Sequence, residues 1–166
     1  KFGELNSKGY LNHNFLGCAY YLSSVKAIAH GTWTEIDSTW TKMTSSGNAG
    51  ADDADIFGKF SSGRWTPTVA GYYLCNGSIR LPGLDDAEYF HGALRRNGDT
   101  ASGNKTEVIT KSPNSNATLA VNVSGIFALD TNDYVSLWCF HDEGASQDAS
   151  TAGTHFFATY LGTSDL

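Results

Sequence analysis

"NATLAVNVSGIFALDTNDYVSLWCF", Asn116 to Phe140, alternates with a period of two on both sides of a short polar turn. In its first half Ala117, Leu119, Val121, Val123, Phe127 and Leu129 fall on one face, and Thr118, Asn122 and Ser124 on the other. Successive side chains of an extended chain point to opposite sides of a sheet, so this run predicts a long strand with one buried face. Ile126 breaks the rule as an apolar residue on the polar side. Beyond "DTND", Val135, Leu137 and Cys139 share one face, and Tyr134, Ser136, Trp138 and Phe140 share the other.

The same alternation recurs outward in both directions. In "RWTPTVAGYYLCNGSIRL" (64–81), Pro67 and Gly71 turn the chain into a strand. Tyr73, Cys75, Ile79 and Leu81 share its buried face, while Asn76, Ser78 and Arg80 point away. "EYFHGALRRNGD" (88–99) reads as a strand that ends in Asn97-Gly98, a strong hairpin-turn pair. "GTWTEIDSTWTKM" (31–43) and "NKTEVITKSP" (104–113) are more polar and edge-like. Stretches 45–58, 98–106 and 141–154 are rich in Gly, Ser and Asp and read as loops. No amphipathic helix is evident. Eight to ten short strands at even spacing predict an all-β sandwich or jelly roll.

Two strands depart from the half-polar pattern. "FLGCAYYL" (15–22) and "HFFATYL" (155–161) are apolar on both faces. A strand of an antiparallel sheet that avoids water on both sides needs a second cover, and another subunit supplies it most simply. Phe15, Tyr21, Phe156, Phe157 and Tyr160 are the candidate subunit contacts.

Composition narrows the function. The chain has 166 residues, enough for one domain with a real core. It begins at Lys1, so residues 1–14 are expected to connect an upstream region to a head spanning 15–166. The formal net charge of −6 disfavours a phosphate-backbone binder, which needs a basic face. No run reaches the roughly 18 apolar residues of a membrane helix. Cys18, Cys75 and Cys139 are odd in number and form no C-x-x-C pair, so buried thiols are expected rather than a zinc site or a disulfide framework.

Catalytic patterns are weak. No G-x-S-x-G nucleophile turn occurs. Cys139 and His141 face one side of a single strand, with the thiol on the buried face, a poor basis for a dyad. No enzyme is expected. The acidic residues gather in loops and are mostly solvated; Asp52, Asp53, Asp55 and Asp142 are weak candidates for a Ca²⁺ site, without the spacing of an EF-hand. The aromatics Trp33, Trp40 and Trp138 stand among polar neighbours, where an indole can stack on a sugar ring or anchor a protein contact.

Taken in order, four segments resemble the C1q/tumour-necrosis-factor-like jelly rolls. "FSSGRWTPTVAGYYL" resembles the family's F-x-P-x-x-G-x-Y-Y segment, and "LRRNG" its strand ending in Asn-Gly. "VSGIFALDTNDYVSLW" resembles its G-x-x-x-L-x-x-G-D-x-V-x-L signature, with Asn132 in place of the Gly before Asp133. "HFFATYL" resembles its closing strand, with Thr159 in place of a Gly. The resemblance covers about residues 15–162. It implies a ten-strand jelly roll in a compact homotrimer, with the first and last strands in the inner sheet near the three-fold axis. The Ser/Thr-rich texture and "AHGTW" resemble such modules at the C-termini of phage tail-fibre and receptor-binding proteins. That narrower likeness implies a virion location, an upstream fibre region and a host surface glycan or protein as receptor. A structural trimerisation cap, or a secreted lectin-like or cytokine-like domain, are the alternatives.

Overall fold

A computed structural model describes residues 17–43 and 58–163. Within them the chain forms thirteen strands and no helix. These are β1 (Gly17–Leu22), β2 (Lys26–Ile28), β3 (Thr34–Glu35), β4 (Trp40–Lys42), β5 (Gly58–Ser61), β6 (Arg64–Pro67), β7 (Gly71–Leu84), β8 (Tyr89–Arg96), β9 (Lys105–Lys111), β10 (Ala117–Leu129), β11 (Val135–His141), β12 (Gln147–Ala149) and β13 (His155–Gly162).

Eleven of them make two packed antiparallel sheets. The first runs β10-β7-β13-β1-β4, and the second β5-β6-β11-β8-β9 with the short β3 paired to β11. β12 and β2 form a small ribbon beside them. The expected all-β jelly roll is therefore the observed fold. The first and last described strands, β1 and β13, pair with each other inside the first sheet.

The alternation read from the sequence explains the layers. Tyr73, Cys75, Ile79 and Leu81 of β7 are all fully buried, as are Val123 of β10 and Val135 and Cys139 of β11. Large apolar side chains buried this way contribute about 1.5–3 kcal/mol each. Trp65 plugs one end of the core, its ring edge-on to Tyr73 at 4.9 Å and near Phe156 at 6.4 Å. The sheets approach closely over Gly77, where an added Cβ would press on the Leu137 side chain of the opposite sheet. Gly77 lies in the middle of a strand, a place where glycine marks close packing.

The Asn97-Gly98 pair turns as expected, with φ of 54° and 70° and a bond from Asp99 N to Arg96 O at 3.0 Å. The next strand starts only at Lys105, because Asn104 O accepts from Arg96 N at 2.7 Å and closes a wider loop around the tight one.

Candidate functional site

Strands β8, β9 and β11 turn their non-core side chains to the open face of the second sheet. Register places Trp138 beside Ala93 and Glu107, Ser136 beside Arg95 and Lys105, and Phe140 beside His91 and Ile109. Onto this face the loop before β3 folds Trp33. The Arg95 guanidinium is clasped between two indoles, 4.4 Å from the Trp33 ring and 4.5 Å from the Trp138 ring. Trp138 Nε1 donates to Ser136 Oγ at 2.9 Å, which fixes one side of the clasp. Trp33 also lies 5.7 Å from Phe140 and edge-on to His91 at 5.8 Å. The result is an aromatic platform with a cation set in it.

Arg95 is only 3% exposed. Its Nε is sealed without a hydrogen-bond partner. No carboxylate among the described residues pairs with it. The nearest acid on the face, Glu107, is engaged by His91 Nδ1 at 2.9 Å and Lys105 Nζ at 3.1 Å. Burial holds the Arg95 guanidinium below its usual pKa, with Glu107 partly offsetting this. Glu107 is itself held below the usual carboxylate range: burial raises it, but hydrogen bonds from His91 and Lys105 prevail. The face beside the clasp is basic. It carries Lys59, Arg64, Arg95, Lys105 and Lys111 against Glu35 and Glu107, with Asp142 at its margin beside Tyr89, on a chain whose net charge is −6.

The open face of the first sheet has a different character. Register aligns Tyr21, His155, Ser78 and Asn122 in one row, Ala19, Phe157, Asn76 and Ser124 in the next, and Gly17, Thr159, Leu74 and Ile126 in a third. Several large apolar groups stand exposed on it beside the polar Asn122 and Ser124: Tyr21 is 40% exposed, Leu74 40%, Leu161 52% and Ile126 64%. Ile126, the exception in the strand pattern, is thus one of several apolar residues on this face.

The expected subunit contacts divide between the two faces of this sheet. Tyr21 and Phe157 stand on the open face. Phe156 does not: it is 1% exposed, opposite Gly77, and belongs to the sandwich core. Tyr160 also turns toward the core side, with its ring 5.2 Å from Tyr73. The strict two-residue period excludes Phe156 from the face that carries Phe157. Phe15 lies outside the described residues.

The three tryptophans divide too. Trp33 and Trp138 meet at Arg95. Trp40 is in the first sheet, packed on Phe60 at 5.2 Å and donating to Ile36 O at 3.0 Å, so it is remote from the clasp and lines a separate cleft with Asp37 and Ser62. Arg95 itself was not anticipated. The signal was available: Tyr89, His91, Ala93 and Arg95 alternate against the buried Phe90 and Leu94.

Asp52, Asp53 and Asp55 lie outside the described residues. Asp142 accepts from Tyr89 N and hydrogen-bonds with Glu88, and no group of three or more acidic, His or Cys side chains among the described residues is arranged to hold a metal. Cys139 and His141 are both fully buried; burial raises the thiol pKa, and His141 Nε2 meets Ile28 O at 3.0 Å. His141 is a buried strand residue, not the loop histidine its position suggested.

Two sheets of this order and connection define the tumour-necrosis-factor/C1q jelly-roll fold. Solved structures of that class superpose over most of the chain. Murine APRIL, in a crystal structure at pH 5.0, matches with a TM-score of 0.60 at 15% identity, over 87% of this chain and 98% of that one. The Eiger TNF of S. frugiperda matches at 0.64 and 10% identity, over 92% and 96%. The globular domain of the zebrafish complement 1qA protein matches at 0.58 and 14% identity, over 89% and 98%. No family model matches the sequence, and no curated protein does.

Proposed function

We propose that this chain is a non-enzymatic binding head that works as a homotrimer. The observation that carries the proposal is the apolar open face of the first sheet, where Leu74, Leu161 and Ile126 stand uncovered in a single protomer. Contiguous apolar surface of this kind marks an interface. A closed ring needs two different patches that fit each other. The sandwich edge formed by β9 and β10 provides the second, with Val108 38% exposed on β9 and Leu119 half-buried on β10. In such a ring the first sheet turns toward the three-fold axis, and the second sheet, with its aromatic platform, turns outward.

The setting that best fits the sequence texture is the receptor-binding tip of a phage tail fibre or spike, joined to an upstream fibre and reading a host surface glycan or protein. Repeated weak sites on one trimer give avidity, which suits reversible host search. The test has two parts. Native mass measurement is expected to give a trimer, and a monomer would overturn the assembly. Labelled trimer is then mixed with host cells that the intact fibre binds. Binding is the expected result; a trimer that does not bind favours the structural cap instead.

A further inference from the structure

The clasp on the second sheet leaves a positive charge with no protein partner. Buried cations are ordinarily paired, because removing a charge from water is costly. Here two indoles supply the cover, yet Nε remains without an acceptor, and no carboxylate or carbonyl reaches the guanidinium among the described residues. A lysine and a histidine already occupy the one acid in reach, Glu107. The face therefore has an unmet demand for an anion, in the middle of an aromatic surface.

We infer that the Trp33–Arg95–Trp138 clasp is a saccharide-binding site selective for sugars that carry a carboxylate. The inference rests on the binding-head reading and names its ligand class. The guanidinium fork matches a carboxylate geometrically and can hold both of its oxygens. The flat, half-exposed indoles and Phe140 offer surfaces on which the apolar side of a pyranose can stack. Lys59 and Lys111, farther along the same face, add long-range attraction. Among the described residues, three Lys or Arg side chains on this face lie beyond those matched by Glu35 and Glu107, namely Lys59, Arg95 and Lys111, and they are dispersed over separate strands, which suits one carboxylate better than a densely sulfated chain. Trp33 comes from a short loop segment with Gly31 at φ 65°, tethered by Gly31 N to His141 O at 2.8 Å and by His30 Nδ1 to Glu143 O at 2.7 Å, so one jaw is held by a loop and the other by strand β11.

The experiment uses the intact trimer, with sialyllactose and a glucuronate-terminated oligosaccharide as acidic probes. Their methyl esters, plain lactose and a heparin-derived oligosaccharide are the comparisons. Saturation-transfer NMR and titration of tryptophan fluorescence read the binding. At least one acidic probe is expected to bind tenfold or more tightly than its ester, with a change in indole emission and weakening as salt is raised. Arg95→Gln is expected to abolish the preference for acid over ester. Trp33→Ala, at a half-exposed loop position, is expected to weaken both. The ester comparison needs no variant, so it stands even if Arg95→Gln fails to fold. Equal binding of acid and ester, binding of heparin alone, or no binding of any probe overturns the site. A trimer that still adsorbs to host cells under those outcomes leaves the binding-head reading intact; a monomer removes that reading itself.

Discussion

Asn97 Nδ2 donates to Asp133 Oδ1 at 2.6 Å across 36 residues of chain, tying the turn after β8 to the turn before β11. Asp133 Oδ2 also accepts from Asp130 N at 2.8 Å and from Arg96 at 2.8 Å, and Asn97 Oδ1 accepts from Tyr134 N at 2.9 Å. Burial raises the Asp133 pKa, but these hydrogen bonds and the Arg96 charge outweigh it and hold the carboxyl below its ordinary range.

A depressed carboxyl stabilises the fold when ionised. Its contribution is therefore complete above the unfolded value of about 3.9 and is lost as pH falls through the lower folded value. Asp133→Asn removes the charge at every pH. The expected cost is roughly 2 kcal/mol at pH 7 and smaller at pH 2. Urea unfolding at both pH values measures it, and a variant cost that does not shrink in acid would contradict the account.

Ile126→Asp places a charge on the open face of the first sheet without touching the sandwich core. The protomer is expected to keep its circular-dichroism spectrum while native mass shifts from trimer to monomer. Phe157→Asp should behave in the same way. A wild-type trimer from both variants would refute the proposed interface.

Phe156→Ala, one residue away, is expected to act differently. Its ring is core, so truncation should cost about 3–5 kcal/mol of stability. Assembly should survive wherever the chain remains folded, as judged by comparing thermal melts with sizing.

Gly71 starts β7 where the last strand passes. An added Cβ would collide with the Gly162 carbonyl oxygen and the Tyr160 ring. Gly71→Val is expected to lose more than about 2 kcal/mol, because the obstruction includes backbone. An unchanged melting temperature would count against this contact.

Cys75 and Cys139 are fully buried, and burial raises both thiols well above their ordinary range. The nucleophile is the thiolate. Iodoacetamide at pH 8 is therefore expected to leave both unlabelled in the native protein and to label them in guanidinium. Rapid native labelling at either position would contradict the packing.

Much of this was legible in the chain itself. Two-residue alternation in 117–129 and 135–140 identified strands and their buried faces, because a residue's side of a strand depends only on local geometry. Asn97-Gly98 announced its turn because both residues tolerate positive φ. The doubly apolar β1 and β13 pointed to a covered sheet. What local pattern left open was how strands align. Phe156 and Phe157 are adjacent aromatics, and only pairing with Gly77 and Asn76 separates core from open face. Arg95, Trp33 and Trp138 come from three distant segments, and no spacing links them. Their meeting depends on the register of β8 with β11 and on a loop folded across both, so tertiary structure alone decided where this protein holds its unpaired charge.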